Sequence, residues 1–433
     1  MRTNRSLALL LWLNFSALAC AQIPARSSPA TAHNKAQLAA QFHRSALVID
    51  THTGIAQRFF DEHFDLASPL GGGNLNLDSI HKGNLGAEFF SVGVDPALYQ
   101  GQYARRTLEL IDAVKQQVVK HPKELIFVAT PGGIELAHRE RMLAVLLSID
   151  GGQSIEDSIS LLRQFYALGV RSMSLTSATS NDWADSSGDI NDRSVPHTKD
   201  GLTEFGKQVV YEMNRLGMMV DVSNASDRTF YKAITITRAP VIASHSSARA
   251  LCDTPRNLSD DMLRAVARSG GANSKGGVVQ VSFSSALLSQ ASRDAAKAQQ
   301  PEIDKAVQAL KDQAKAEGKS PSSTEIEKIQ RRFADRISRP PLSTLIDQID
   351  HVVKVAGIDH AGLASDFDAV SGRLPEGIDS AADLPKITEA LLARGYTAEG
   401  CRKILGGNLM RVFREVEQVS RQLQTESRPK IGK

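Results

Sequence analysis

Eight short apolar runs recur along the chain, and the stretches between several of them are patterned for amphipathic helices. The runs fall near residues 46–50, 87–92, 143–149, 170–176, 218–222, 240–244, 277–282 and 361–365. Segments 104–120, 155–168 and 201–216 carry helical spacing, and Thr203 stands where it can cap the last of them. Strands that alternate with helices build a parallel sheet. Eight of them in a chain of this length favour a (β/α)8 barrel, an α/β fold, over an open doubly wound sheet. Ile126, Phe127 and Val128 read as a short extra strand.

The remaining segments fit around that barrel. With 433 residues, 42% of them hydrophobic, the chain can bury a large core, and one barrel with insertions can take up most of it. Residues 289–335 are rich in Ala, Lys, Gln and Glu, with a break at Gly318–Pro321; they read as a helical insertion after the seventh strand. Residues 403–413 read as a helix, a glycine break and a docking helix, and 422–433 as a polar tail. At the other end, Arg2 and Arg5 precede an apolar run over 7–19 and a small-residue cleavage pattern, Ala19-Cys20-Ala21. That is a signal peptide over 1–21, followed by a linker over 22–40 and the barrel over 41–421. The expectation is export to a bacterial periplasm or secretion, with no transmembrane span after cleavage. A lipoprotein anchored through Cys20 is less expected, because Ala17-Leu18-Ala19 makes a poor lipobox. A net charge of +3 implies no nucleic-acid partner. Cys252 and Cys401 are expected as buried thiols.

Function on a barrel concentrates at the C-terminal strand ends. These ends offer His52, Asp150, Thr176, Ser177, Asp221, Ser223, Asn224, His245, Asp366 and Asp368. His52, Asp150, His245 and Asp366 come from four different strand ends and converge on one mouth. They could hold one divalent metal through two imidazoles and one or two carboxylates, or form a hydrogen-bonded cluster without metal. Alternate residues of a strand point the same way, so the residue two after His52 would share its metal. That residue is Gly54, which has no side chain.

Several pieces together resemble the renal (membrane) dipeptidase family of zinc peptidases, among the amidohydrolase-like metallo-dependent hydrolase barrels. They are Leu147-Ser148-Ile149-Asp150-Gly151-Gly152, Asn181-Asp182-Trp183-Ala184-Asp185, Asp221-Val222-Ser223-Asn224, Ala243-Ser244-His245-Ser246-Ser247, Pro255-Arg256-Asn257, Gly357-Ile358-Asp359-His360, Ser365-Asp366-Phe367-Asp368 and Gly406-Gly407-Asn408. The resemblance runs over about 46–419 and implies dipeptide hydrolysis at a two-zinc centre with a bridging carboxylate. It makes His52 and His245 metal ligands, Asp150 a shortened bridging carboxylate, Asp366 the catalytic proton shuttle and Arg256 the holder of a substrate carboxylate. It also exposes departures. Gly54 stands for an Asp ligand, Asn224 for a His ligand and Ser177 for a substrate-contacting His, while Gln153 also replaces a frequent His. Gly54 and Asn224 are therefore lost ligand positions, and Asn224 and Ser177 are left to contact substrate. The expected cofactor is zinc, at most one ion tightly bound, and the expected partner a dipeptide or other small molecule. The expected function is a dipeptidase-like protein with a depleted two-zinc site, weakly active or inactive, that binds a small peptide or amino acid. The alternative is an active mononuclear dipeptidase or amidohydrolase. A homodimer is expected by the same resemblance.

Overall fold

In the computed structural model, residues 29–192, 194, 195, 197, 200–369 and 373–426 are described, with side chains from residue 36 onward. Nine strands form one parallel sheet: β1 (Val48–Thr53), β2 (Leu85–Ser91), β3 (Leu125–Phe127), β4 (Leu143–Ile149), β5 (Val170–Ser174), β6 (Met219–Asp221), β7 (Ile242–Ser246), β8 (Val278–Ser282) and β9 (Ala361–Ala364). All but β3 follow one another around a nearly closed eight-stranded barrel, with β3 paired outside on β4. Helices separate the strands, which is what forces the pairing to be parallel. The strands are buried almost throughout, as expected for a sheet covered on both faces.

Closure between β9 and β1 is made largely by side chains. Thr51 Oγ1 shares its one proton between Ser244 O on β7 (2.6 Å) and Leu363 O on β9 (3.2 Å), and Asp50 Oδ1 accepts from Ser365 N (2.8 Å). Just above, Thr53 bridges Phe367, and Gly54 N donates to Phe367 O at 2.8 Å. The end of β1 is thus stitched to the turn that follows β9.

The insertion follows β8, the seventh barrel strand. It is a helical hairpin, Gln290–Ala316 and Ser323–Ala334, broken at the expected Gly-Pro segment. Ser289 and Ser322 cap the two helices, the second with a capping box to Glu325. The second helix lies against the segment that follows β1. Lys328 Nζ reaches Glu62 Oε1 at 2.7 Å, and Arg331 donates to Gly72 O. The hairpin is therefore fastened over one side of the barrel mouth.

Two boundaries differ from expectation. The segment read as a linker over 22–40 contains the start of a helix, Pro29–Ser45. It turns at Ser45 and packs Ala39 and His43 inward, with His43 Nε2 2.8 Å from Gly83 O. Its polar, Ala-rich composition hides those few inward positions. The tail helix, Asn408–Glu426, runs past residue 421, because Leu423 is buried on its inner face. The glycine break before it is a π-helical turn, Lys403–Gly407. The signal peptide and residues 427–433 lie outside the described residues. Among the described residues no helix is long and apolar enough to cross a membrane, and Cys252 and Cys401 are buried free thiols.

Candidate metal and ligand site

Three expected residues meet at the mouth. His52 from β1, His245 from β7 and Asp366 after β9 each offer a ligand atom, and these atoms lie within 4.8 Å of one another. The imidazoles stack with centroids 3.9 Å apart, and His52 Nε2 is 4.0 Å from Asp366 Oδ1. All three residues are buried, none more than 9% exposed.

The surroundings fix each side chain. Ser244 Oγ donates its single proton to Asp221 Oδ2, so at 2.8 Å it accepts from His245 Nδ1–H. That tautomer leaves the Nε2 lone pair free for a metal. Burial, reinforced by the nearby His52 and Arg256, holds the His245 imidazole well below its usual pKa and thus neutral. Asp366 sits at φ 55°, a left-handed conformation that Asp tolerates better than most residues. Ser282 Oγ donates to its Oδ2. Burial raises its pKa, against the opposing pull of His52, Ser282 and Arg256.

The other expected residues surround this triad in different roles. Asp150 lies outside that close group but near enough for its charge to act on Asp366, and its Oδ1 accepts from Ser174 Oγ (2.7 Å) and Asn224 Nδ2 (2.8 Å). The Asn224 amide is thus turned toward a carboxylate. Ser177 Oγ is 3.4 Å from Thr179 Oγ1. Arg256 gives protons to Ser223 O, Ser246 Oγ (2.8 Å) and His245 O (2.6 Å), which engages three of its five. Gln153 donates to Val94 O at 2.8 Å.

At Gly54 the structure adds what sequence could not. A Cβ there would lie 2.5 Å from Asp368 O and 3.0 Å from Ala369 Cα. The space of the missing side chain is filled by the backbone of the turn after β9. Asp368 itself turns away from the triad, pairing with Arg58 Nη1 (3.1 Å) and accepting from Asn74 N (3.0 Å).

Sequence reading missed two supports. Ser282 lies at a strand end but looks like an ordinary small polar residue. Glu88 interrupts the apolar run of β2, which is a visible signal. It is fully buried opposite Asp50 in the ladder, its carboxyl within hydrogen-bonding reach of the Asp50 carboxylate. Burial first, then the Asp50 charge, pushes its pKa well up, so Glu88 is a neutral acid that can donate to Asp50.

A metal fits this donor set at one position. Two imidazoles and one carboxylate, close together and buried, match a catalytic zinc's three protein ligands. Gly54 offers no ligand atom, and the Asn224 amide is taken up by Asp150.

Comparison with known proteins bears on the family and the fold. The model of the family described as membrane dipeptidase (peptidase family M19) matches residues 36–427. Dipeptidase 3 of Mus musculus is 34% identical over 347 residues, covering 80% of this chain and 59% of the relative, so the chain spans about three-fifths of that protein's length. The probable dipeptidase PvdM from Pseudomonas aeruginosa superposes with a TM-score of 0.74 at 26% identity, covering 89% of this chain and 99% of the other. A metallo peptidase from Rhodobacter sphaeroides, solved with a phosphinate mimic of the dipeptide L-Ala-D-Ala, has a TM-score of 0.67 at 21% identity, covering 86% and 99%; it supports the fold alone.

Proposed function

The chain belongs to the membrane dipeptidase family, and from that premise we propose a dipeptidase-like protein reduced to one metal position, which binds a small peptide or amino acid and hydrolyses dipeptides weakly or not at all. The observation that carries this reading is the packing at Gly54, where the 368–369 backbone fills the space a second-metal ligand would need. The Asn224–Asp150 hydrogen bond supports it, since both residues hold each other at the other vacated position.

His52, His245 and Asp366 would hold the one zinc, which when bound supplies Lewis acidity and a more acidic water. The residues of the chain divide the remaining work. Asp366 has two carboxylate oxygens, so one can face the metal while the other, held by Ser282 Oγ, exchanges a proton at the reacting centre. Arg256 sets a positive field at the mouth and offers its remaining protons to a ligand carboxylate. Ser177 and Asn224 orient a bound amide. The compact triad favours a second reading, an active mononuclear dipeptidase or amidohydrolase.

Elemental analysis of protein purified without chelator, combined with a dipeptide hydrolysis assay, tests these readings. One zinc or less per chain with negligible turnover is expected. One zinc with substantial turnover establishes the second reading. Two zincs per chain with rapid hydrolysis overturn both. We further propose export through the 1–21 leader, which fractionation of the expressing cell checks.

A further inference from the structure

A second cavity, away from the triad, lies between the two hairpin helices and the turn that follows β8. Its volume is about 190 Å³. Much of its wall is apolar, including Ile303, Phe333 and Ile337. Six polar side chains also line it: Ser292, Gln300 and Arg373 are engaged with Ser338, Asp304 and Asp335, whereas Ser285 Oγ, Gln299 Oε1 and Gln330 Oε1 are buried atoms without a partner among the described residues. Ser285 as a whole is only 4% exposed, so its hydroxyl has little access to bulk water.

Buried polar groups are nearly always hydrogen-bonded, and leaving one unmade is destabilising. Three orphans on one small cavity are therefore unexplained by the protein alone. Their chemistry specifies a complement. Two amide oxygens need two donors, and one hydroxyl can give a proton to an acceptor. A primary carboxamide carries two N–H donors and one carbonyl acceptor on a single planar head. The cavity also has room for a short aliphatic body, since a cavity of about 150 Å³ accepts benzene. Ser285 lies three residues beyond Ser282, whose hydroxyl holds Asp366.

We propose that the hairpin cavity is a binding site for a small aliphatic molecule with a primary amide head, held by Ser285, Gln299 and Gln330 and packed on Phe333. It does not depend on metal at the mouth. Isovaleramide is the probe, titrated by calorimetry and ligand-observed NMR into the full chain stripped with chelator. Saturable one-site binding is expected, with isovaleric acid and isoamyl alcohol each at least about tenfold weaker because each loses part of the donor set. Gln330→Met removes one acceptor at similar volume and weakens the amide about five- to tenfold. Ala296→Leu fills the cavity and abolishes binding, with unfolding monitored to confirm a native chain. No saturable binding of isovaleramide to the wild type overturns the proposal, as does equal affinity for Gln330→Met. If Ala296→Leu does not fold, the probe series and Gln330→Met decide alone. Zinc stoichiometry is measured separately, so the two proposals fail independently.

Discussion

At Gly54 the residue that lacks a side chain is also the residue that cannot regain one cheaply. Gly54→Asp forces the backbone of Asp368 and Ala369 aside, and overpacking of this kind costs about 1–3 kcal/mol. We expect the variant to unfold at lower urea concentration and to bind no additional zinc; full stability with a second zinc would show that the turn yields. Ser244 offers a complementary prediction. It sets the His245 tautomer while bonding to Asp221, so Ser244→Ala should lower zinc affinity about 10- to 100-fold. Competition with a chromogenic chelator measures this, and unchanged affinity would remove Ser244 from the metal's support. His52, His245 and Asp366 were legible from sequence because they sit at strand ends. Ser282 was not, because a serine announces its role only through the carboxylate it meets.

At the scale of elements, the seam between hairpin and barrel is electrostatically loaded. Glu327, on the hairpin's second helix, is 5% exposed and pushed up to about 7, chiefly by burial. Arg331 and Arg58 pull it down, while Asp368 and Glu62 push it further up; Lys328 on the same helix is paired with Glu62. The folded chain therefore holds this proton to higher pH than the unfolded chain, where Glu titrates near 4.5. Stability should fall as pH rises from about 4.5 to 7 and stay flat above, by at most about 3 kcal/mol. Glu327→Gln should remove that slope and be the more stable form at pH 8, read as urea midpoints across pH. A slope that survives the substitution would assign it elsewhere. The tail makes a packing prediction. Gly406 lets the π-helical turn approach β1, where a Cβ would lie 2.8 Å from Leu47 O and Ile49 Cγ1. Gly406→Ala should destabilise by about 1–3 kcal/mol without changing the denaturant slope. The hairpin and the glycine break were readable as composition and as punctuation. Where the hairpin docks was not, since Lys328 and Arg331 look like ordinary surface charges until Glu62 and Gly72 are placed beside them.

For the whole molecule, the barrel is held by its apolar layers and by side-chain stitching between β9 and β1, and the triad is preformed by Ser244, Ser282 and Asp221. A metal bound there would be a ligand of a folded site rather than a requirement for folding. Stripping zinc with chelator should leave the circular dichroism of the barrel intact and lower the melting temperature only by the binding linkage; collapse of the cooperative transition would contradict this. Sequence alone determined the alternation of strands and helices, and hence a parallel barrel with its polar residues gathered at one mouth. Both follow from local periodicity and from the fixed direction in which a parallel strand presents its end. It also showed that position 54, two residues after His52, carries no side chain. Only the tertiary structure decided what occupies the vacated space, which residues fix His245 and Asp366, and where the orphaned amides of the hairpin converge. Each of those depends on atoms brought together across hundreds of residues, and a linear pattern carries no record of such distances.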